Sequence, residues 1–365
     1  MRGAVIGATG AHGRRVASEL ARTDAVTSLL LVARSREPLE RLASVLGGPR
    51  RNVTSLQGDA RELEVGESLS GFDVVVTCAD DAHVPCAIAG ISSGAHCVVL
   101  AEDATTHQQL EALDGEARAK NLTVAAGCGF SPGITNLMGA FAGGQLDRVD
   151  ELSVTVARSL GDAGGRSSVQ GLLDLYRNAA AVQEGASSDD PGHLPRLVYL
   201  PEPIGWVETF RAVHPEAASL QRSIEGIPAV EYRIGLTERR ASDLARAIAA
   251  LGMTRNPVAQ GLWGRLSSGG TLARSLNTGA ASWTGARIDA HGELDGRPAT
   301  VTLGIVDRLG NLAPLMAARA AIELGTGAVE KPGLQPPEAL FDARTALKDM
   351  SKRGVRIARL EPGEV

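Results

Sequence analysis

The sequence predicts an α/β chain in two parts: a Rossmann-type doubly wound parallel sheet, and an α+β domain with a mostly antiparallel sheet. Three observations carry this prediction. Up to Ala126, short continuous apolar runs alternate with helical patterns. A GxxGxxG loop joins the first run to the first helix. Beyond it, strands alternate apolar with polar residues and turn as hairpins.

The elements follow in order. Ala4-Val5-Ile6 leads into glycines and then the periodic stretch VASELART. Leu29 to Val32 is a second apolar run, Val53 to Leu56 a weaker third, and Val74-Val75-Val76 a strong fourth. Cys97 to Leu100 and Leu122 to Ala126 complete the series. Continuous β-branched runs separated by helices mean parallel strands covered on both faces. In the middle, Leu152, Val154 and Val156 alternate with Ser and Thr. Arg196 to Leu200, Trp206 to Phe210 and Val230 to Leu236 are further short strands, and Ile288 to Ile305 reads as a hairpin turning at Asp295-Gly296. Ala241 to Leu251 and Ala313 to Leu324 read as helices, and VQEGASSDDPGHLPR as a loop. The tail, PPEALFDARTALKDMSKRGVRI, reads as a helix ended by Gly354 and a short strand.

At 365 residues the chain suits two domains. It is 44% hydrophobic and 22% charged, as ordinary globular proteins are. A net charge of −5 argues against a nucleic-acid partner. No apolar stretch nears the roughly 20 residues that span a bilayer. The start, MRGAVIGATG, enters a strand pattern at once and leaves no room for a signal peptide, so a cytoplasmic location is expected. Cys78, Cys86, Cys97 and Cys128 form no metal-ligand spacing, so reduced thiols and no metal are expected.

The loop VIGATGAHGRRVA has the chemistry of a dinucleotide cradle. Gly7 permits the tight turn, Gly10 lets backbone approach a pyrophosphate, and Gly13 lets helix pack on strand. The helix N-terminus adds free N–H groups and positive potential. Cofactor contacts are expected from Gly7, Ala8, Thr9, Gly10, His12 and Gly13. An NAD site usually carries Asp or Glu at the tip of the second strand, bonding the ribose hydroxyls. Here that tip reads Val32-Ala33-Arg34-Ser35-Arg36. Two guanidiniums and a hydroxyl suit a 2′-phosphate, so NADP(H) is the expected cofactor. Asp59, beyond the third strand, is expected either to contact the adenine or to cap a helix. Cys78-Ala79-Asp80 ends the fourth strand where the chain must pass the nicotinamide ribose, and Asp80 or Asp81 can also cap the following helix.

None of the three tyrosines, Tyr176, Tyr199 and Tyr232, has a lysine four residues on, which excludes the short-chain dehydrogenase signature. Only four lysines occur, Lys120, Lys331, Lys348 and Lys352, so a covalent imine to the enzyme has few candidates.

Three further stretches carry a resemblance: Gly7-Ala8-Thr9-Gly10, then Gly129-Phe130-Ser131-Pro132-Gly133-Ile134-Thr135-Asn136, then Pro337-Glu338 through Arg353-Gly354. In this order they resemble the saccharopine dehydrogenase-like family, which includes saccharopine reductases, carboxynorspermidine dehydrogenases and lysine 6-dehydrogenases. The resemblance implies hydride exchange with NADP(H) at a C–N bond of an amino-acid-derived imine or amine. It implies that Gly129, Ser131 and Pro132 form the crossover turn beside the nicotinamide, with Asn136 on the substrate side. It implies domains at 1–133, completed by 326–365, and at 134–325 for substrate binding and dimerisation. Two departures stand out. Ser131 replaces the usual aspartate, and His96-Cys97-Val98-Val99 lacks the phenol and carboxylate of an HYVD-like strand.

A substrate carboxylate needs a cation. Arg158, Arg166, Tyr176 and Arg177 are candidates, and Arg166 leads because Gly164-Gly165-Arg166-Ser167-Ser168 reads as a loop opening a helix. For acid–base work Glu102 ranks first by position and His214 second by its pKa range, ahead of Asp81, His83 and Tyr176. A homodimer through the middle domain is expected from the edge of the Ile288–Ile305 hairpin. The alternative function is a non-catalytic NADPH sensor or scaffold with the same fold.

Overall fold

The computed structural model describes residues 1–49, 52–62, 67–159, 194–238 and 283–360. The helix expected from Ala241 and the loop expected from Val182 lie outside these, apart from the last residues of that loop. By contacts the chain divides into two units: Met1–Ile134 with Gly310–Asp342, and Thr135–Leu309 with Ala343–Val365. No described helix is long and apolar enough to cross a membrane.

The first unit holds seven parallel strands. These are β1 (Arg2–Ile6), β2 (Ser28–Ala33), β3 (Asn52–Gln57), β4 (Val74–Thr77), β5 (His96–Val99), β6 (Thr123–Ala126) and β13 (Gly333–Gln335). Their order is β13-β6-β5-β4-β1-β2-β3. β1 therefore lies between β2 and β4, and the order reverses there. At such a switch point the crevice beyond the strands' C-terminal ends takes the ligand. The six runs read from the sequence are β1 to β6. β3 read weakly because it is the edge strand and only Val53 and Leu56 are half-buried. β1, β2, β4, β5 and β6 carry the core: Ile6, Val32 and Val75 pack in one cluster, and Cys97, Val99 and Val124 in a second.

The second unit holds β7 (Arg148–Arg158), β8 (Arg196–Leu200), β9 (Gly205–Arg211), β10 (Val230–Leu236), β11 (Thr284–Leu294), β12 (Arg297–Asp307) and β14 (Arg356–Leu360). Their order is β14-β12-β11-β7-β10-β9-β8. Every pairing is antiparallel except β10 with β7. The β11–β12 hairpin turns at Asp295 and Gly296, whose φ values of 52° and 70° give the primed turn that a two-residue connection needs.

Three features depart from expectation. The β11–β12 hairpin is not an edge, because β14 pairs with β12 on one side and β7 pairs with β11 on the other. The C-terminal segment does not go wholly with the nucleotide unit either. Gly333–Gln335 extends the first sheet beside β6, whereas Arg356–Leu360 extends the second. The helix Leu309–Gly325, expected in the substrate domain, falls almost entirely in the first unit.

The turn after β1 sets the site's geometry. Gly7 has φ +79°, and a Cβ there would stand 3.0 Å from the Cys78 carbonyl carbon and 3.1 Å from the Ala79 nitrogen. A Cβ on Gly13 would overlap the Gly7 carbonyl oxygen. The helix Ala11–Leu20 thus presses directly on the strand end. Replacing Gly13 with Ala should lower stability by about 1–3 kcal/mol through overpacking and weaken NADPH binding, as thermal melts and fluorescence titration will read.

The thiols of Cys86 and Cys97 lie 1% and 0% exposed in the packing of β4 and β5. Cys86 Sγ donates to Ala60 O at 3.6 Å and Cys97 Sγ to Ala87 O at 3.5 Å. Burial pushes both up to about 12 from the ordinary 9.0. The native state then holds protons that the unfolded chain has released. Stability supplied by the neutral thiols is complete below about pH 9 and is lost progressively as pH rises toward 12. Urea midpoints should therefore fall through this window, and Cys97→Ala should flatten the fall.

Candidate functional site

The helix Ala11–Leu20 begins at Gly10, which has extended backbone, no side-chain cap and no acid in the first turn. Its leading N–H groups are thus not covered by a capping side chain. Gly7 N and Ala8 N donate to Val32 O at 2.9 and 3.0 Å, and Gly10 N donates to Gly7 O at 3.0 Å. These bonds hold the loop against β2. A Cβ on Gly10 would crowd Gly7 O at 3.2 Å, so glycine keeps the cradle shallow. Thr9 and His12 are half-buried in the same turn. The chemistry is that of a pyrophosphate seat: N–H donors, a helix N-terminus and no competing carboxylate.

At the β2 tip, Arg34 is 71% exposed and stands 3.9 Å from Asp81. Ser35 is the N-cap of the helix Arg36–Leu46 and makes no capping bond. Arg36 points along that helix to Glu40, 2.7 Å away, which raises its pKa. Asp59 forms a turn with its own neighbours. It accepts from Arg61 Nε at 2.8 Å, Arg61 Nη2 at 2.7 Å and Arg61 N at 3.0 Å. These bonds hold its carboxyl well below the usual carboxylate range, and the Arg34 charge adds to the effect. Its bond to Arg61 N closes a turn two residues long. Arg61 was not among the expected residues. No local pattern marks it, because the β2–β3 pairing is what brings it near Arg34.

At the β4 tip, Cys78 follows Thr77, and its N–H donates to Ile6 O at 2.9 Å. Burial raises the Cys78 thiol pKa strongly. Asp80 opens a short 3₁₀ turn and lies 3.7 Å from His83 Nε2. His83 is 3% exposed, and its Nδ1 is hydrogen-bonded to the Thr77 hydroxyl. Beyond β5, Glu102 is half-buried and Asp103 caps the helix Ala104–Glu111 through Thr106 N at 2.7 Å. His107 also escaped the sequence reading. Its Nε2 meets Ala101 O at 3.0 Å, and burial lowers its pKa.

The crossover glycines have a local cause. Gly129 N donates to Pro132 O at 3.1 Å, and Ile134 N to Gly129 O at 3.2 Å. A Cβ on Gly133, at φ +136°, would overlap the backbone of Gly129. A Cβ on Gly127, at φ +73°, would meet Pro132 at 2.8 Å and His107 at 3.2 Å. The chain folds back on itself here, and Ser131 is 5% exposed within the turn.

In the second unit, Asn136 is wholly buried and donates to Ser219 Oγ at 2.9 Å. It ties two helices together. His214 is 3% exposed, stacks on Tyr232 with centroids 4.0 Å apart and lies 3.7 Å from the buried Glu216. Arg166 and Tyr176 lie outside the described residues. A cleft of about 860 Å³ opens on the polar face of the second sheet. Its charges satisfy one another: Arg287 holds Asp289 at 2.9 Å and Tyr199 O at 3.2 Å. None of the expected site residues among the described ones lines it.

Residues 4–125 match the family model described as saccharopine dehydrogenase NADP binding domain. The whole chain is similar in fold to saccharopine dehydrogenase (L-Glu forming) from Saccharomyces cerevisiae. The identity is 14%, the TM-score 0.68, and the match covers 99% of this chain and 100% of that one. Looser matches include a probable dehydrogenase from Thermotoga maritima, at 14% identity, TM-score 0.48 and 98% and 99% coverage. Another is the DAP dehydrogenase of C. glutamicum, at 12% identity, TM-score 0.47 and 97% and 98% coverage. The cradle geometry and the family-model match over residues 4–125 agree on NADP(H), and the whole chain shares its fold with a saccharopine dehydrogenase.

Proposed function

We propose that this protein transfers hydride between NADP(H) and a C–N bond of an amino-acid-derived substrate, reducing an imine or oxidising an amine. The observation that carries the reading is an uncapped phosphate cradle beside a β2 tip that ends in arginine rather than an acid. The whole-chain likeness in fold to a saccharopine dehydrogenase supports the C–N assignment.

Bound NADPH supplies the hydride. An iminium carbon is already electrophilic, so the chain's own tasks are orientation, exclusion of water and a partner for the substrate carboxylate. Gly7, Ala8, Thr9, Gly10, His12 and Gly13 seat the pyrophosphate in this reading. Arg34 and Ser35 face the 2′-phosphate, and Cys78, Ala79 and Asp80 flank the nicotinamide ribose. Glu102, half-buried after β5, is the group offered for proton transfer. Arg166 and Tyr176 are offered for the carboxylate. His214 and Asn136 are better explained as packing groups, since both are buried and engaged within the second unit.

A second reading, an NADPH sensor that has lost the chemistry, is favoured by Ser131 in the turn where relatives carry aspartate. A homodimer through the second unit belongs to either reading. With the hairpin interior, the described strands of the second sheet that pair on one side only are β8 and β14. Light scattering at micromolar concentration should give a dimer mass, and a monomer mass removes that part.

The parent protein should bind NADPH more tightly than NADH by fluorescence titration. Arg34→Asp should weaken NADPH by about tenfold or more and favour NADH. NADPH consumption with a panel of aldehydes or keto acids plus amines should reveal turnover. Glu102→Gln should lower kcat by about 100-fold. Arg166→Ala should raise KM for carboxylated substrates by about tenfold. Tight NADPH binding with no turnover across the panel would put the sensor reading in its place.

A further inference from the structure

The adenosine end of the cradle holds more charge than a β2 tip alone can supply. β2 and β3 run parallel, with Ala33 paired to Gln57. Gly58 N donates to Ala33 O at 3.2 Å, and Gln57 Nε2 donates to Arg34 O at 3.2 Å. The turn from Asp59 to Arg61 is thereby fastened beside Arg34. A second bond set fixes the turn itself: Asp59 N donates to Glu62 Oε2 at 3.2 Å, and Glu62 N to Asp59 O at 2.9 Å.

Arg61 sits in this turn with its fork already oriented. Its Nε and Nη2 are spent on the two Asp59 oxygens, at 2.8 and 2.7 Å. An arginine has five N–H donors in a rigid plane, so the Nη1 edge still offers two to an acceptor on the other side. Asp81 also acts on Arg61, and the same carboxylate stands 3.9 Å from Arg34. Arg34 in turn acts on Asp59. Two guanidiniums and two carboxylates thus share one small region at the tips of β2, β3 and β4. Arg36 does not belong to it, because its guanidinium is committed to Glu40 one helical turn away.

We propose that Arg61, held by Asp59, is the second guanidinium of the adenosine 2′-phosphate subsite together with Arg34, and that Arg36 is not part of it. The proposal rests on the NADP(H) reading and names the residues that make it selective. Asp59 and Asp81 balance the two arginines before the nucleotide arrives. A 2′-phosphate then takes charge-assisted bonds from the N–H groups that these carboxylates leave over.

The test isolates the adenosine end with adenosine 2′,5′-bisphosphate and 5′-AMP, titrated calorimetrically into the full-length protein. The parent should prefer the bisphosphate by at least about tenfold. Arg61→Gln should abolish most of that preference and leave 5′-AMP binding within about twofold of the parent. Arg61→Lys, which keeps the charge and loses the fork, should fall between. Arg36→Gln should bind both ligands as the parent does. The salt dependence of bisphosphate binding should be shallower in Arg61→Gln. An Arg61→Gln protein that keeps the full preference overturns the proposal, as does a loss confined to Arg36→Gln. If the parent itself does not distinguish the two nucleotides, the NADP(H) reading beneath the proposal fails first. Arg61 is half-exposed, and melting curves of each variant will confirm that the fold is retained.

Discussion

The contact between Gly13 and the carbonyl of Gly7 is the constraint from which the nucleotide unit is built. Two backbones touch where any side chain would separate them. The touch brings the helix Ala11–Leu20 down onto the end of β1 and aims its first N–H groups over the crevice. Gly7 serves a second contact, against Cys78 and Ala79 after β4. The two glycines thus pin the first βα turn to both its helix and the neighbouring strand end. The crevice at the switch point keeps its shape because no side chain intrudes there.

Much of the fold was legible because its signals are local. Continuous apolar runs gave β1, β2 and β4 to β6, since a strand buried on both faces leaves no polar alternation. Asp295-Gly296 gave the β11–β12 hairpin, since both residues must take positive φ. The misplaced parts depend on pairing at a distance. β13 is three residues long and makes sense only beside β6. β14, RIARL, is short and has no buried residue, and only its register with β12 assigns it to the second sheet. The helix Leu309–Gly325 is apolar around much of its surface, which marks a buried helix without saying which sheet covers it.

The site divides in the same way. The cradle is a run of seven consecutive residues and Arg34 directly follows β2, so both could be read from the chain. His214 was chosen for its titration range, yet its stack on Tyr232 and its burial beside Glu216 come from tertiary packing. The crossover stretch shows how a correct location can carry an incomplete reason. Its residues were expected to form the crossover turn beside the nicotinamide. Gly133 is needed first because its own chain crosses Gly129, a demand that holds whatever ligand lies nearby.

Asp59 and Arg61 show that the β2 segment alone does not carry all the charge around its tip. The acid that an NAD site would place on β2 is absent, but carboxylates enter from the turns after β3 and β4. An exposed ion pair adds little to stability, because solvent screens it and both side chains lose freedom. The Asp59–Arg61 pair is thus a poor device for holding the fold together. It is a good device for holding a guanidinium still. Two parallel bonds and a backbone N–H from the same turn fix the fork's plane before any ligand arrives. Less side-chain freedom then remains to be lost when an anion binds. A held, partly satisfied arginine beside an exposed one is an arrangement suited to selecting a phosphate by shape as well as by charge.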